Sequence, residues 1–328
     1  MLKNKFSLNT GYAGIPGVPY LRKAQYSFGW DWGPKLPDIG PWKSVFLKGY
    51  DDFKFDSIYI TQSLKYNNPA SSMENSHDFS LNRVMSANIQ IKIKLNYSEI
   101  VPPSNYSIRI FLIDPNKKIL TREVVLEIDT ENIYTFDLDI IDPFLWWTHD
   151  LGKPNLYDLT AHLIEKNNEH VIDRTNLKIG IREIKLVRKK DKWGESFYFL
   201  LNGVPLFAKG ANWIPIDSFI PRGKKLDLYY KNLKYAKEVN MNFVRVWGGG
   251  IYEDDHFYDL CDKMGILVWQ DFLFACAIYP IHDEFLENVK IEIIQNIKRL
   301  RNHPSLALWC GNNEISMYGH FLSLKQDY

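Results

Sequence analysis

From about residue 53 to residue 182 apolar and polar positions alternate with a period of two. Ile89, Ile91, Ile93 and Leu95 are separated by Gln90, Lys92 and Lys94. Tyr106, Ile108, Ile110 and Leu112 repeat the pattern, as do Tyr134, Phe136, Leu138 and Ile140. Successive side chains of a strand point to opposite faces, so each run predicts a strand with one face in a core and the other in water. Asp114-Pro115-Asn116 supplies a turn between two of them. Repeated half-buried strands with short turns predict an antiparallel sandwich. Residues 64–82, rich in Asn, Ser and Met, read as a surface excursion. No catalytic constellation stands out here, which leaves this region the task of holding its neighbours in a fixed relation.

After about residue 207 the period changes. Leu226, Tyr229, Tyr230, Leu233 and Ala236 share one helical face, and residues 242–247 then read as a strand. Phe257, Leu260, Cys261 and Met264 repeat the helical stripe, Gly265 ends it, and residues 266–269 form a second apolar strand. Leu286, Val289, Ile293, Ile297 and Leu300 make a third helix before a strand at 306–310. With residues 206–211 as the first strand, the order is βαβαβαβ, which calls for a parallel sheet, open or closed into a barrel. Each strand is followed by polar and aromatic residues: Asn212-Trp213, then Trp247-Gly248-Gly249-Gly250 with Glu253 and Asp254, then Gln270-Asp271, then Asn313-Glu314. Four consecutive strand ends of this kind favour the C-terminal mouth of a barrel. The bland alternative is that Asn313 and Glu314 cap the next helix. The three glycines lack the spacing of a dinucleotide fingerprint or a phosphate loop, so no nucleotide is expected.

Residues 1–50 do not read as the beginning of a domain. Gly- and Pro-rich turns lead to Trp30-Asp31-Trp32, bounded by Gly29 and Gly33, with a strand-like run at 42–47 after it. The Trp-Asp-Trp triplet reads either as a loop presenting one carboxylate beside an aromatic wall or as a buried turn in which Asp31 accepts backbone N–H bonds.

Composition narrows the chemistry. The chain has 328 residues, 45% of them hydrophobic and 15% aromatic, enough for large cores and more than one domain. A net charge of +1 without long like-charge runs points to neither nucleic acid nor an anionic membrane. Ten Trp and 19 Tyr offer aromatic faces with polar rims, suited to sugar rings or to cores. Cys261, Cys276 and Cys310 lie in apolar contexts without metal-ligand spacing, so free thiols are expected, with no metal and no cofactor. The N-terminus has no signal-peptide core and no run approaches a membrane span. Two acceptor triplets, Asn96-Tyr97-Ser98 and Asn105-Tyr106-Ser107, hint at a secretory route.

At several of these positions the chain resembles glycoside hydrolase family 2, and within it the β-mannosidases. The resemblance rests on Phe28-Gly29-Trp30-Asp31-Trp32-Gly33-Pro34, Leu201-Asn202-Gly203-Val204-Pro205, Lys209-Gly210-Ala211-Asn212-Trp213-Ile214-Pro215, Asn242-Phe243-Val244-Arg245-Val246-Trp247-Gly248-Gly249-Gly250, Trp269-Gln270-Asp271-Phe272 and Trp309-Cys310-Gly311-Asn312-Asn313-Glu314. It implies a multidomain β plus α/β chain. Residues 1–50 would be the end of a jelly-roll sugar-binding domain, 51–185 an immunoglobulin-like β-sandwich, and 186–328 the first half of a (β/α)8 TIM barrel. It further implies a retaining hydrolase acting on terminal β-D-mannose of oligosaccharides and N-glycan fragments, lysosomal or secreted in full-length form. Glu314 would be the general acid/base and Asn313 would bind the 2-hydroxyl. Trp30, Asp31 and Trp247, with Trp213 and Asp271 from the neighbouring strand ends, would line the pocket. An acid that protonates a poor leaving group works best among aromatic neighbours that exclude water.

A retaining glycosidase needs a second carboxylate about 5 to 5.5 Å from the first. In the family that nucleophile is a Glu on a later barrel strand, so the chain is expected to be incomplete at both ends and unable to hydrolyse a glycoside alone. Two alternatives stand beside the mannosidase. One is another family 2 specificity, galactosidase, glucuronidase or glucosaminidase, which the Trp-Asp-Trp loop disfavours. The other is a non-catalytic carbohydrate-binding or scaffold protein. Oligomeric state is left open.

Overall fold

A computed structural model describes residues 17–50, 53–67, 83–97, 103–126 and 132–317. The alternating region forms seven strands: β1 (Phe53–Tyr66), β2 (Val84–Tyr97), β3 (Tyr106–Ile113), β4 (Ile119–Val125), β5 (Ile133–Ile141), β6 (Tyr157–Glu165) and β7 (His170–Ile179). They pair antiparallel into two sheets, ordered β1-β2-β5 and β4-β3-β6-β7. Ile89, Ile91, Ile93, Ile108, Ile110 and Leu112 are at most 1% exposed and meet between the sheets, as the period-two pattern predicts. Asp114 closes the β3–β4 turn, its carboxylate accepting from Lys118 N–H at 2.8 Å. Most of the expected excursion, residues 68–82, lies outside the described residues. Its first residues instead extend β1.

A small antiparallel sheet follows, β8 (Ile184–Val187), β9 (Tyr198–Leu201) and β10 (Val204–Leu206), in the order β10-β9-β8. The expectation of a first barrel strand over 206–211 is corrected here. Leu206 ends a hairpin whose two-residue turn is Asn202-Gly203, at φ 50° and 81°. Such a turn matches the right-handed twist of two antiparallel strands. Phe199, Leu201 and Leu206 of this hairpin pack with Phe243 and Leu267. The first parallel strand comes later.

It is β11 (Gly210–Trp213), followed by α1 (Ile220–Lys225), α2 (Leu228–Glu238), β12 (Phe243–Val246), α3 (Asp255–Met264), β13 (Leu267–Asp271), α4 (Asp283–Leu300) and β14 (Leu306–Cys310). The four strands are parallel and lie in chain order, β11-β12-β13-β14. A doubly wound sheet would reverse its order at a switch point, whereas an unbroken order is that of a barrel arc. Asp254 caps α3 by accepting from His256 N–H at 3.0 Å, and Gly265 ends it at φ 70°. Tyr229, Leu233, Phe257 and Leu260 lie buried between helices and sheet.

Sandwich and barrel arc are joined by directional bonds. The half-buried Arg182 donates to Pro304 O and Leu306 O at 3.0 and 2.6 Å, and Trp146 Nε1 donates to Asp262 O at 2.8 Å. The predicted strand at 42–47 is absent; these residues are exposed without regular structure, Phe46 at 84% and Leu47 at 103%. A strand needs a hydrogen-bonded neighbour, and no described segment pairs with this one.

Candidate active site

The parity of the parallel strands sorts the residues at their ends. On β12, Val244 and Val246 face the helices, so Arg245 faces the concave side, in register with Asn212 and Trp269. Asp271, two residues beyond Trp269, shares that face. Arg245 joins these elements: Nη2 donates to Asp271 Oδ2 at 2.5 Å and to Asn313 Oδ1 at 2.9 Å, Nε to Asp271 Oδ1 at 3.2 Å, and Nη1 to Asn212 Oδ1 at 3.2 Å. One guanidinium thus holds the ends of β11, β13 and β14.

Asp271 was expected at the pocket wall. Its side chain is fully buried, and it also accepts from Gly248 N–H at 3.0 Å and Trp269 Nε1 at 2.9 Å. Burial raises its pKa against the pull of Arg245. It reaches the cleft only by orienting Arg245. Trp213, also expected at the wall, shares the parity of Val246 and turns to the helix side. There it lies 4.8 Å from the Phe257 ring and donates to Glu253 Oε1 at 3.1 Å. Glu253 is sealed in that layer at 1% exposure, accepts from Tyr229 at 2.6 Å, and is pushed up by burial to about 7.

The loop after β12 carries Trp247, whose indole folds back over its own chain. A Cβ on Gly249 would stand 1.9 Å from that ring, and one on Gly248 would stand 2.7 Å from the carbonyls of Phe272 and Phe274. The glycines are there for close approach, not for a phosphate. Against Trp247 sits the N-terminal segment. Trp30 and Gly33 exchange backbone bonds at 3.1 and 3.3 Å, which puts Asp31 and Trp32 on the tip of a tight, exposed turn. The Trp30 and Trp32 rings meet Trp247 edge-on, with centroids 4.7 and 6.0 Å away, and Trp32 also stacks on Tyr26. Arg22 anchors the segment to α4 through a bidentate pair with Glu292 at 2.7 and 2.8 Å, and Tyr26 N–H donates to Gly249 O at 3.0 Å.

Asn313 is 8% exposed, whereas Glu314 is exposed, at φ 61°. Glu314 is therefore not enclosed by aromatic walls among the described residues, as its expected role led us to anticipate. It is tied to the rest of the site through Cys276, which lies 3.1 Å from its Oε2 and packs in one cluster with Trp247 and Tyr26. Trp30, Trp247, Asn313 and Glu314 are thus linked by contact through Cys276, and Asp31 joins them as the neighbour of Trp30 on the turn. Arg245 and Cys276 were not anticipated. Only Arg245 left a trace in the sequence, as a lone charge inside an apolar strand.

Comparison with known proteins agrees with this architecture. Three family descriptions match in succession: "Glycosyl hydrolase 2 galactose-binding domain-like" over residues 2–43, "Glycosyl hydrolases family 2" over 76–182, and "Glycosyl hydrolases family 2, TIM barrel domain" over 195–326. The chain belongs to glycosyl hydrolase family 2. Among its curated relatives, beta-mannosidase B of Aspergillus clavatus is 36% identical over 317 residues, 97% of this chain and 35% of that protein. The beta-mannosidase B of Thermothelomyces thermophilus is 36% identical over 310 residues. Among solved structures, a beta-D-mannosidase from Dictyoglomus thermophilum superposes with a TM-score of 0.77 at 40% identity, covering 93% of this chain and 35% of that one. A Parabacteroides merdae beta-glucuronidase, at 19% identity and TM-score 0.62, shares the fold. The chain spans about a third of the length of the curated relatives it matches.

Proposed function

We propose that this chain carries the mannose pocket and the acid/base residue of a retaining β-mannosidase that removes terminal non-reducing β-D-mannose from oligosaccharides and N-glycan fragments. The observation that carries the reading is the docking of the Trp30-Asp31-Trp32 turn on Trp247, which Cys276 links to Asn313 and Glu314. Two elements far apart in sequence thereby offer an aromatic face, a carboxylate for sugar hydroxyls and an acid, which is what a pyranose site needs. In this reading the small part of Trp247 left open, 7% of its surface, meets the sugar ring, Asp31 accepts from its hydroxyls, Asn313 holds the 2-hydroxyl, and Glu314 protonates the departing oxygen and later activates water. Among the other acids at these strand ends, Asp271 is committed to Arg245 and Trp269, and Glu253 to Tyr229 and Trp213. Neither is placed to attack an anomeric carbon, so the nucleophile would come from a later barrel strand. We place the protein on a secretory or lysosomal route, which the two acceptor triplets support.

Residues 1–328 with p-nitrophenyl β-D-mannoside test this directly. The expected result is mannoside binding, read as a change in tryptophan fluorescence, without turnover above that of Glu314→Gln. Absence of binding would overturn the pocket. Turnover abolished by Glu314→Gln would overturn the claim that the nucleophile lies elsewhere.

A further inference from the structure

Cys276 has no part in the site as the sequence outlines it, yet the fold sets its thiol against two residues of the loop after β14, Asn313 and Glu314. The thiol donates to Glu314 Oε2 at 3.1 Å and accepts from Asn313 Nδ2 at 3.3 Å. The backbone repeats the tie. Cys276 N–H donates to Asn313 O at 3.0 Å, Asn313 N–H donates to Phe274 O at 2.8 Å, and Ala275 bridges Asn313 in parallel. Cys276 and Glu314 both hold left-handed backbone, at φ 43° and 61°. Residues with side chains keep that conformation only where their surroundings dictate it, and such places gather at working sites. Cys276 packs in one apolar cluster with Tyr26, Ile220 and Trp247. A large, soft atom fills this apolar niche while still offering one weak donor and one weak acceptor.

We propose that Cys276 is a positioning residue: its thiol holds the Glu314 carboxylate in a fixed relation to the Asn313 amide, so that acid and 2-hydroxyl ligand meet the same sugar. The role given to Glu314 rests on the functional reading above; the contact itself does not. Without the thiol, an exposed glutamate would sample its rotamers freely. Burial, reinforced by the hydrogen bond to Glu314, pushes the Cys276 thiol up to about 12.

That coupling is measurable without any turnover. Iodoacetamide alkylation of Cys276, followed by peptide mass spectrometry across the alkaline range, compares the full chain with two variants. Glu314→Gln removes the facing negative charge, so the thiolate forms at lower pH and alkylation near pH 9 speeds up by about fivefold or more. Asn313→Asp replaces a donor by a second carboxylate, so alkylation slows. Rates unchanged in both variants would overturn the proposal. A Glu314-dependent rate in a chain that binds no mannoside would uphold the positioning contact and refute the functional reading.

Discussion

Arg245 stands in an otherwise apolar strand because its charge is matched on the concave face, where Asp271 is wholly buried beneath it. Removing one partner of such a pair leaves the other charge without compensation, which costs far more than the pair contributes. Arg245→Ala is expected to destabilise the chain by on the order of 3 kcal/mol in urea unfolding, and adding Asp271→Asn to recover part of that loss. A loss below about 1 kcal/mol would show that Asp271 is satisfied by Gly248 and Trp269 alone. Asp31 is the opposite case. It sits on an exposed turn outside every core cluster, so Asp31→Ala should leave the urea midpoint unchanged while weakening mannoside affinity by roughly tenfold or more. A matching loss of stability and affinity would make Asp31 a structural residue.

At the scale of elements, the sandwich and the helices were legible because burial there follows simple periods: Ile89, Ile91 and Ile93 face one way, Tyr229 and Leu233 share one side of α2. The Asn202-Gly203 hairpin was also written in the sequence, but βα alternation took its last residue, Leu206, as the start of a barrel strand that begins only at Gly210. Residues 42–47 failed in the other direction, since apolar character predicts a strand only where a neighbour exists to pair with it. The strand ends were legible as polar clusters, but not by face. Parity sends Trp213 to the helices and Arg245 to the cleft, and parity follows from the register between strands, which a single sequence does not state. The loop after β12 permits a test at this scale. A Cβ at Gly249 collides with the Trp247 indole, so Gly249→Ala should drive the ring from its place against Trp30 and weaken mannoside binding, with the fluorescence of the free chain altered too. Unchanged binding would mean that Trp247 does not touch the sugar.

For the whole molecule, the buried Glu253 and the half-buried His303 set the response to pH. Glu253 titrates near 7 in the fold because burial disfavours its charge, against a usual value of 4.5. The folded chain therefore keeps a proton that the unfolded chain releases, and stability falls as pH rises from about 4.5 to about 7. His303 adds to the same trend. Burial opposes its charge, but Asp262 at 2.6 Å overrides this and raises its pKa above 6.5, so its contribution is complete below 6.5 and is lost as pH climbs through the raised value. Asp150 and Asp254 work in reverse. Despite partial burial, bonds from Lys209 to the first and from His256 N–H and Lys224 to the second hold them below the usual range, so their contribution is lost only as strongly acid conditions protonate them. The expected outcome is a urea midpoint clearly higher at pH 5 than at pH 8, with Glu253→Gln flattening much of the difference. A midpoint that is level or rises toward pH 8 would contradict it.

The patch that unites the N-terminal turn with the strand ends has one decisive measurement, a crystal structure of the chain soaked with a β-mannoside. The sugar ring should rest against the Trp247 indole, with hydroxyls within hydrogen-bond reach of Asp31 and Asn313 and the glycosidic oxygen toward Glu314. A sugar bound elsewhere, or a Trp30-Asp31-Trp32 turn standing apart from Trp247, would contradict the account.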